Sequence, residues 1–199
     1  MRFKVIRFSP NMPGTSKRWL KEVPTRGVPI PPLGSDRVIL STGQREILVV
    51  TPDAAQWQVT RAHRVGAVAN EETRFDCVYP ARLPENTTHA FIVRDANRAI
   101  GIAVLKSRLC SGCTWQGSVR GEEKRLWTVT FVWVLESQRR RGIAKTLVGA
   151  VAEYFGVGLD EIGWLLPFTA SGEHLAKGCC PKALWADGDL TSLAKRSGR

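Results

Sequence analysis

No stretch of the chain approaches the roughly 20 consecutive apolar residues that a membrane-crossing helix needs, so no such span is expected. The opening residues, Met1 to Phe8, alternate charged and apolar side chains, which suits a strand and not the apolar core of a secretory signal. A location inside a cell follows as an expectation, cytoplasmic or, in a nucleated cell, nuclear. Cysteine is scarce and odd in number, five in all, which gives no disulfide framework. Cys110-Ser111-Gly112-Cys113 is a single CxxC, and a structural zinc would need a second ligand pair that the nearby sequence does not offer. His89 lies well upstream and Cys179-Cys180 far downstream, so no metal is expected and the pair is read as reduced and carried on a loop. Also missing are the GxxxxGK[ST] loop of nucleotide triphosphatases, the GxGxxG of dinucleotide folds, internal repeats, and any DNA-recognition helix or RNA-binding sheet motif.

What is present is a globular composition with a strong charge of one sign. In 199 residues, 43% hydrophobic and with seven tryptophans, there is enough apolar surface for one well-filled domain with an N-terminal extension. The formal net charge of +11 favours an anionic ligand, an acidic protein surface or nucleic acid, without choosing among them. Part of it sits in the tail, Ala194-Lys195-Arg196-Ser197-Gly198-Arg199. The expected organisation is an N-terminal strand and Pro/Gly-rich arm over residues 1–42, a folded domain over 43–185, and a basic tail over 186–199.

Along the chain, Glu46-Ile47-Leu48-Val49-Val50-Thr51 reads as a buried strand closed by Pro52-Asp53, and residues 54–70 as a helix capped by Asp53. A hairpin follows, with strands His89–Val93 and Ala99–Leu105 around a polar turn from Arg94 to Arg98. Residues 110–124 are polar and glycine-bearing and are expected to form a mobile loop near a substrate entrance. The run from Leu126 to Leu135, rich in Trp, Val, Thr and Phe, reads as a central strand. A helix over 139–155 carries Ile143, Leu147, Val151 and Tyr154 on one face, spaced to pack on a sheet. A further strand over 161–166 ends at Pro167, and a short helix is expected over 171–177.

The most informative segment is Trp133-Val134-Leu135-Glu136-Ser137-Gln138-Arg139-Arg140-Arg141-Gly142-Ile143-Ala144, an apolar strand passing through three arginines and a glycine into a helix. The first turn of that helix has N–H groups without partners at the positive end of the helix dipole, which suits a pyrophosphate. Gly142 and small Ala144 permit close approach, and the arginines add charge-assisted bonds.

Arg139-x-x-Gly142-x-Ala144, with Val134 where the strand would splay open, resembles the Arg/Gln-x-x-Gly-x-Gly/Ala signature of the GCN5-related N-acetyltransferases. More narrowly, residues 43–180 resemble the acetyltransferase domain of the cohesin acetyltransferases, through Ile47-Leu48-Val49-Val50-x-Pro52, Phe91-Ile92, Gly101, Trp133-Val134, Arg139-Arg140, Ile143-Ala144, Glu161-Ile162, Pro167, Gly172, Ala176 and Cys180. The resemblance implies an α/β (α+β) fold: a mixed, mainly antiparallel central sheet, flanking helices and a splayed acetyl-CoA cleft. It implies a cofactor site built from Val132, Trp133, Val134, Leu135, Arg139, Arg140, Arg141, Gly142, Ile143, Ala144, Ser171 and Gly172, with N–H groups around Val134 and Leu135 polarising the thioester. The acceptor is an amine, a protein lysine if the resemblance extends to substrate.

The departures are specific. No cysteine or histidine occurs in residues 1–45, so these residues are expected to hold no counterpart of the zinc finger that precedes the domain in that family. The family's serine three residues before the tryptophan falls at Thr130, its helix glutamate at Gly149, and its aspartate before the proline at Leu166. Thr130, Glu153 and Glu136 are therefore the catalytic candidates, with His174 the lone histidine beyond the motif. Three alternatives stay open: an acetyltransferase for aminoacyl-tRNA, one for a small amine, and a weakened module that binds CoA or a macromolecule.

Overall fold

A computed structural model describes residues 26–73 and 88–194; the expected strand Met1 to Phe8, most of the arm and the basic tail lie outside them. In chain order the elements are β1 Val28–Pro29, β2 Val38–Thr42, β3 Arg45–Val50, α1 Gln56–Thr73, β4 Thr88–Asp95, β5 Arg98–Cys113, β6 Val119–Val134, α2 Ile143–Phe155, β7 Gly163–Leu165, α3 Ala170–Cys179, β8 Leu184–Asp187 and α4 Thr191–Ala194. The strands form one sheet ordered β2-β3-β4-β5-β6-β7-β8, with β1 paired to β5. All pairings are antiparallel except β6–β7 and β7–β8, so the expected mixed, mainly antiparallel sheet is found.

Cross-strand register sorts the core into two faces, because alternate residues of a strand point to opposite sides. Phe91, Ala103 and Val132 form one rank and Ile92, Ile102 and Trp133 the next. The first face is covered by α2, whose Tyr154 and Phe155 meet Phe91 at ring-centroid distances of 5.4 and 5.9 Å, while Phe155 stacks on Trp127 at 4.3 Å. The opposite face is covered by α1, which buries Val59, Ala62, Val65, Val68 and Ala69 at helical spacing.

Several expectations need correction. Helix α1 begins at Gln56 and runs to Thr73; its first turn is tied by Gln58, whose Oε1 accepts from the Ala55 N–H at 3.0 Å, and not by Asp53. Arg94, expected in a turn, is 2% exposed within β4. It donates to Glu46 at 2.9 and 2.6 Å and to Asp36, which also takes Arg61 at 2.7 Å. Within the arm, Val28 pairs with Ala99 and is fully buried.

The expected loop over 110–124 is instead the end of a long hairpin. Strands β5 and β6 are 16 residues each and stay paired as far as Cys113↔Val119. Cys110 and Cys113 thus lie in a strand, both buried. The helix expected from Arg139 begins at Ile143 because Arg140 and Gly142 have φ of 61° and 77°, left-handed values that cannot continue a helix. The strand expected over 161–166 shortens to Gly163–Leu165, and the following helix, expected over 171–177, spans Ala170–Cys179.

Candidate active site

The site begins where β6 loses a neighbour. Parallel pairing with β7 covers only Thr128↔Gly163 and Val129↔Trp164, and beyond it β6 continues to Val134 beside β5 alone. At the fork Val104 pairs with Phe131 and Leu105 with Val129, which leaves Thr130 as the extra residue of a β-bulge. The Leu135 N–H donates to Ile100 O at 2.9 Å. By alternation the backbone groups of Val132 and Val134 point away from β5, into the fork. The Leu135 amide is therefore engaged in the sheet and cannot polarise a ligand, which corrects one expected donor; Val134 keeps that position.

At the end of the strand a single 3₁₀ turn, Glu136–Gln138, leads into the loop. Left-handed conformations at Arg140 and Gly142 curl successive N–H groups toward one side, a backbone concavity of the kind that holds anions. Arg140 is not a glycine, so the loop is held against its own backbone preference. The first amide donating inside α2 is that of Thr146, to Gly142 O at 3.0 Å, and neither a capping side chain nor a first-turn acid satisfies the amides before it. Arg140, Arg141 and Lys145 stand exposed around this end. The fork and the loop together fit a ligand with two unlike parts, phosphates for the loop and an extended amide-bearing chain for the free strand edge.

Arg139 is placed differently from its expected role. Its Nε donates to Val134 O at 2.9 Å, and its guanidinium donates at 2.6 Å to Glu72. Glu72, on the last turn of α1, also accepts from the Trp133 indole at 3.1 Å and from the Glu136 N–H at 3.0 Å. Burial pushes its carboxyl above the usual range, against the opposing pull of Arg139, Trp133 and the Glu136 amide. Sequence reasoning missed Glu72, because the helix was expected to stop at Asn70 and no local spacing links it to Trp133.

The remaining candidates are scattered. The Thr130 hydroxyl donates to Val104 O at 3.0 Å across the bulge, leaving its lone pairs for a ligand. Glu136 is exposed just beyond the strand, and Glu153 is exposed ten residues into α2, about 15 Å along the axis from Ile143. Ser171 is exposed, and the Gly172 N–H is already taken at 3.0 Å by Thr169 Oγ1, the cap of α3. His174 is exposed on the same helix. A Cβ at Gly149 would meet nothing within 4 Å, whereas Leu166 is buried, its N–H bonded to Asp187 O at 2.8 Å. Asp187 of β8, in register with Leu165 of β7, takes Arg108 at 3.0 Å. Burial pushes the Cys113 and Cys179 thiols up to about 11, and no metal-binding cluster exists among the described residues.

The sequence model of the acetyltransferase (GNAT) family matches residues 55–176, a span that contains the fork, the loop and α2. The chain belongs to the GNAT acetyltransferase family. It is an N-acetyltransferase that uses acetyl-CoA. Among solved structures, the xEco2 acetyltransferase domain bound to a K105-CoA conjugate is similar at a TM-score of 0.67 and 20% identity, over 78% of this chain and 98% of that one. A second structure of the xEco2 acetyltransferase domain gives 0.65, again at 20% identity, over 79% and 99%. A ribosomal-protein-alanine N-acetyltransferase from Brucella melitensis biovar Abortus 2308 reaches 0.49 at 15% identity, over 73% and 96%. The two xEco2 likenesses show the fold. No curated protein matches the sequence. No helix among the described residues is long and apolar enough to cross a membrane.

Proposed function

We propose that this GNAT enzyme transfers the acetyl group of acetyl-CoA to the side-chain amine of a lysine in a protein partner. The observation that carries the reading is the fork itself: a free strand edge at Val132 and Val134 that runs directly into an uncapped, arginine-flanked helix start. On this reading the amides from Arg140 to Lys145, with the Arg140 and Arg141 side chains, hold the pyrophosphate. The cleft-facing N–H groups of Val132 and Val134 pair with the pantetheine arm and polarise the thioester, a preorganised oxyanion-type interaction. The net charge of +11 supports an acidic protein surface as the source of the lysine.

A lysine ammonium with its free pKa of about 10.4 must shed a proton before its nitrogen attacks. That proton passes to water; the nitrogen–acyl bond then forms, the carbon–sulfur bond breaks, and the departing thiolate takes up the second proton of the nitrogen to leave as CoA thiol. With no carboxylate at Gly149 or Leu166, Asp187, in register with Leu165 of β7, is the group we assign to receive the ammonium. Asp187→Asn should lower kcat/KM for the acceptor by about tenfold with acetyl-CoA binding unchanged; equal activity would remove this role.

The same two positions also favour a second reading, an α-amine acceptor such as that of an aminoacyl-tRNA, whose pKa near 8 makes a base less necessary. A thiol-release assay separates the readings. Turnover with lysine peptides carrying a blocked N-terminus supports the first, and turnover only with free α-amines supports the second. A calorimetric titration showing CoA binding without turnover on any amine would point to a binding module instead.

A further inference from the structure

We infer that Glu72 is a positioning residue for the phosphate loop, and that it does so by holding Arg139 out of the phosphate's reach. The inference rests on the acetyl-CoA reading of the loop and goes beyond it, because it removes from the ligand set the arginine that begins the family signature.

The geometry is a three-way clamp. One carboxylate oxygen accepts from the Glu136 amide and from Arg139 at 3.0 and 2.6 Å, the other from the Trp133 indole at 3.1 Å. The donors belong to three consecutive pieces of the site: the cleft strand, the 3₁₀ turn and the loop. The acceptor comes from a helix on the opposite side of the sheet from α2, more than sixty residues earlier in the chain. The Glu72 side chain is only 14% exposed. A carboxylate taken that far from water is retained only with full pairing, and here every pairing ends on the cofactor site.

Arg139 is anchored by the same arrangement through two of its five N–H donors. Its Nε is bonded to the cleft-facing carbonyl of Val134, which fixes the end of the free strand edge, and its terminal nitrogen is neutralised by Glu72. What remains for a pyrophosphate is the backbone concavity at Arg140 and Gly142 with the exposed Arg140, Arg141 and Lys145 around it. Glu72 and Arg139 therefore act together as a brace that sets the angle at which strand enters loop. Neither touches the transferred acetyl group.

The sign of the effect separates this brace from the alternative, in which Arg139 is a phosphate ligand held back by Glu72. Acetyl-CoA and S-acetyl-pantetheine, which lacks the pyrophosphate, should be compared as donors for wild type, Glu72→Ala, Glu72→Gln, Arg139→Ala and the Glu72→Ala/Arg139→Ala double variant. Calorimetric Kd and thermal melts should be recorded on the same samples. The brace predicts that Glu72→Ala raises KM and Kd for acetyl-CoA about tenfold with kcat within about twofold, changes S-acetyl-pantetheine turnover by less than about threefold, and is not worsened by removing Arg139 as well. The isosteric Glu72→Gln should move in the same direction, since its amide N–H would face another donor, and it covers the case in which the alanine variant melts.

A fall in KM on Glu72→Ala would mean that a freed Arg139 joins the phosphate, and would overturn the proposal. So would an equal loss with both donors, the mark of a merely structural residue, or additive losses in the double variant. If wild type itself binds no acetyl-CoA, the cofactor reading fails first and carries the brace down with it, an outcome visible in the control alone.

Discussion

The molecule contains two carboxylate–guanidinium clusters that look alike in a list of bonds and differ in everything around them. At Arg94 the guanidinium is 2% exposed and its acceptors are the side chains of Asp36 and Glu46, with Arg61 closing the group. At Arg139 the guanidinium is 45% exposed, and the carboxylate that holds it divides its remaining bonds between a backbone amide and an indole. The first cluster ties the turn before β2 to β3, β4 and α1, away from the fork; the second borders the fork. Charge pairing identifies neither as functional. The distinction lies in where the other bonds go, to the scaffold in one case and to the ligand-facing backbone in the other.

The widest separation between the clusters should appear in stability. Arg94→Met takes from Glu46 its guanidinium partner and leaves Asp36 with Arg61 and the Leu33 N–H, and chemical denaturation should show a loss of about 3 kcal/mol. Arg139→Met, which removes a half-exposed cation, should lose no more than about 1 kcal/mol in the same titration while impairing acetyl-CoA binding. A comparable loss in both variants would erase the distinction.

Gly163 offers the next largest effect, on the pairing that ends at the fork. A Cβ there would sit 2.5 Å from Thr128 Oγ1 and 2.7 Å from Cys110 Sγ, within a buried contact where those two atoms are 3.1 Å apart. Gly163→Ala should therefore destabilise by about 1–3 kcal/mol as β7 shifts from β6, measured as a fall in Tm. In the loop, Arg140→Gly should relieve the φ of 61° and leave stability unchanged or higher by up to about 1 kcal/mol, while KM for acetyl-CoA rises severalfold. An unchanged KM would remove Arg140 from the phosphate site.

The smallest effect concerns pH. His89 is 9% exposed among Trp127, Phe155, Tyr154 and Phe91, and burial lowers its pKa below 6.5, only partly offset by Asp53. The unfolded chain binds the proton first on acidification, so the stability contributed by neutral His89 is complete above about pH 6.5 and declines as pH falls through the lower folded value. His89→Phe should flatten that decline, by no more than about 1.4 kcal/mol per pH unit. An unaltered slope would place the acid sensitivity elsewhere.

The part of this architecture legible in the sequence was the part encoded locally. Strand β6, the arginine loop and α2 follow one another within a few dozen residues, and the Ile143, Leu147, Val151 stripe is a property of one helix. Arg94 was misread because a charged residue next to Asp95 and Asn97 looks like a turn, and only its pairing with Glu46 and Asp36, 48 and 58 residues away, reveals a buried position. Glu72 was invisible for the same reason, its partners lying 61 to 67 residues further on. Residues 110–124 were misread because their polar, glycine-bearing pattern describes a strand with one wet face as well as it describes a loop; what made them strand is the pairing of β5 with both β6 and β8.

That double pairing has a mechanical consequence. Ser111–Cys113 at the far end of β5 hydrogen-bonds to Leu184–Ala186 of β8, β8 to β7, β7 to β6, and β6 back to β5. The four strands form a hoop, and the fork is the gap where two of its staves diverge. A hoop cannot widen at one joint without straining the others, so the spacing between β6 and β7 is fixed before any ligand arrives. The donor molecule would then enter a slot of set width, and little of its binding free energy would be needed to open one.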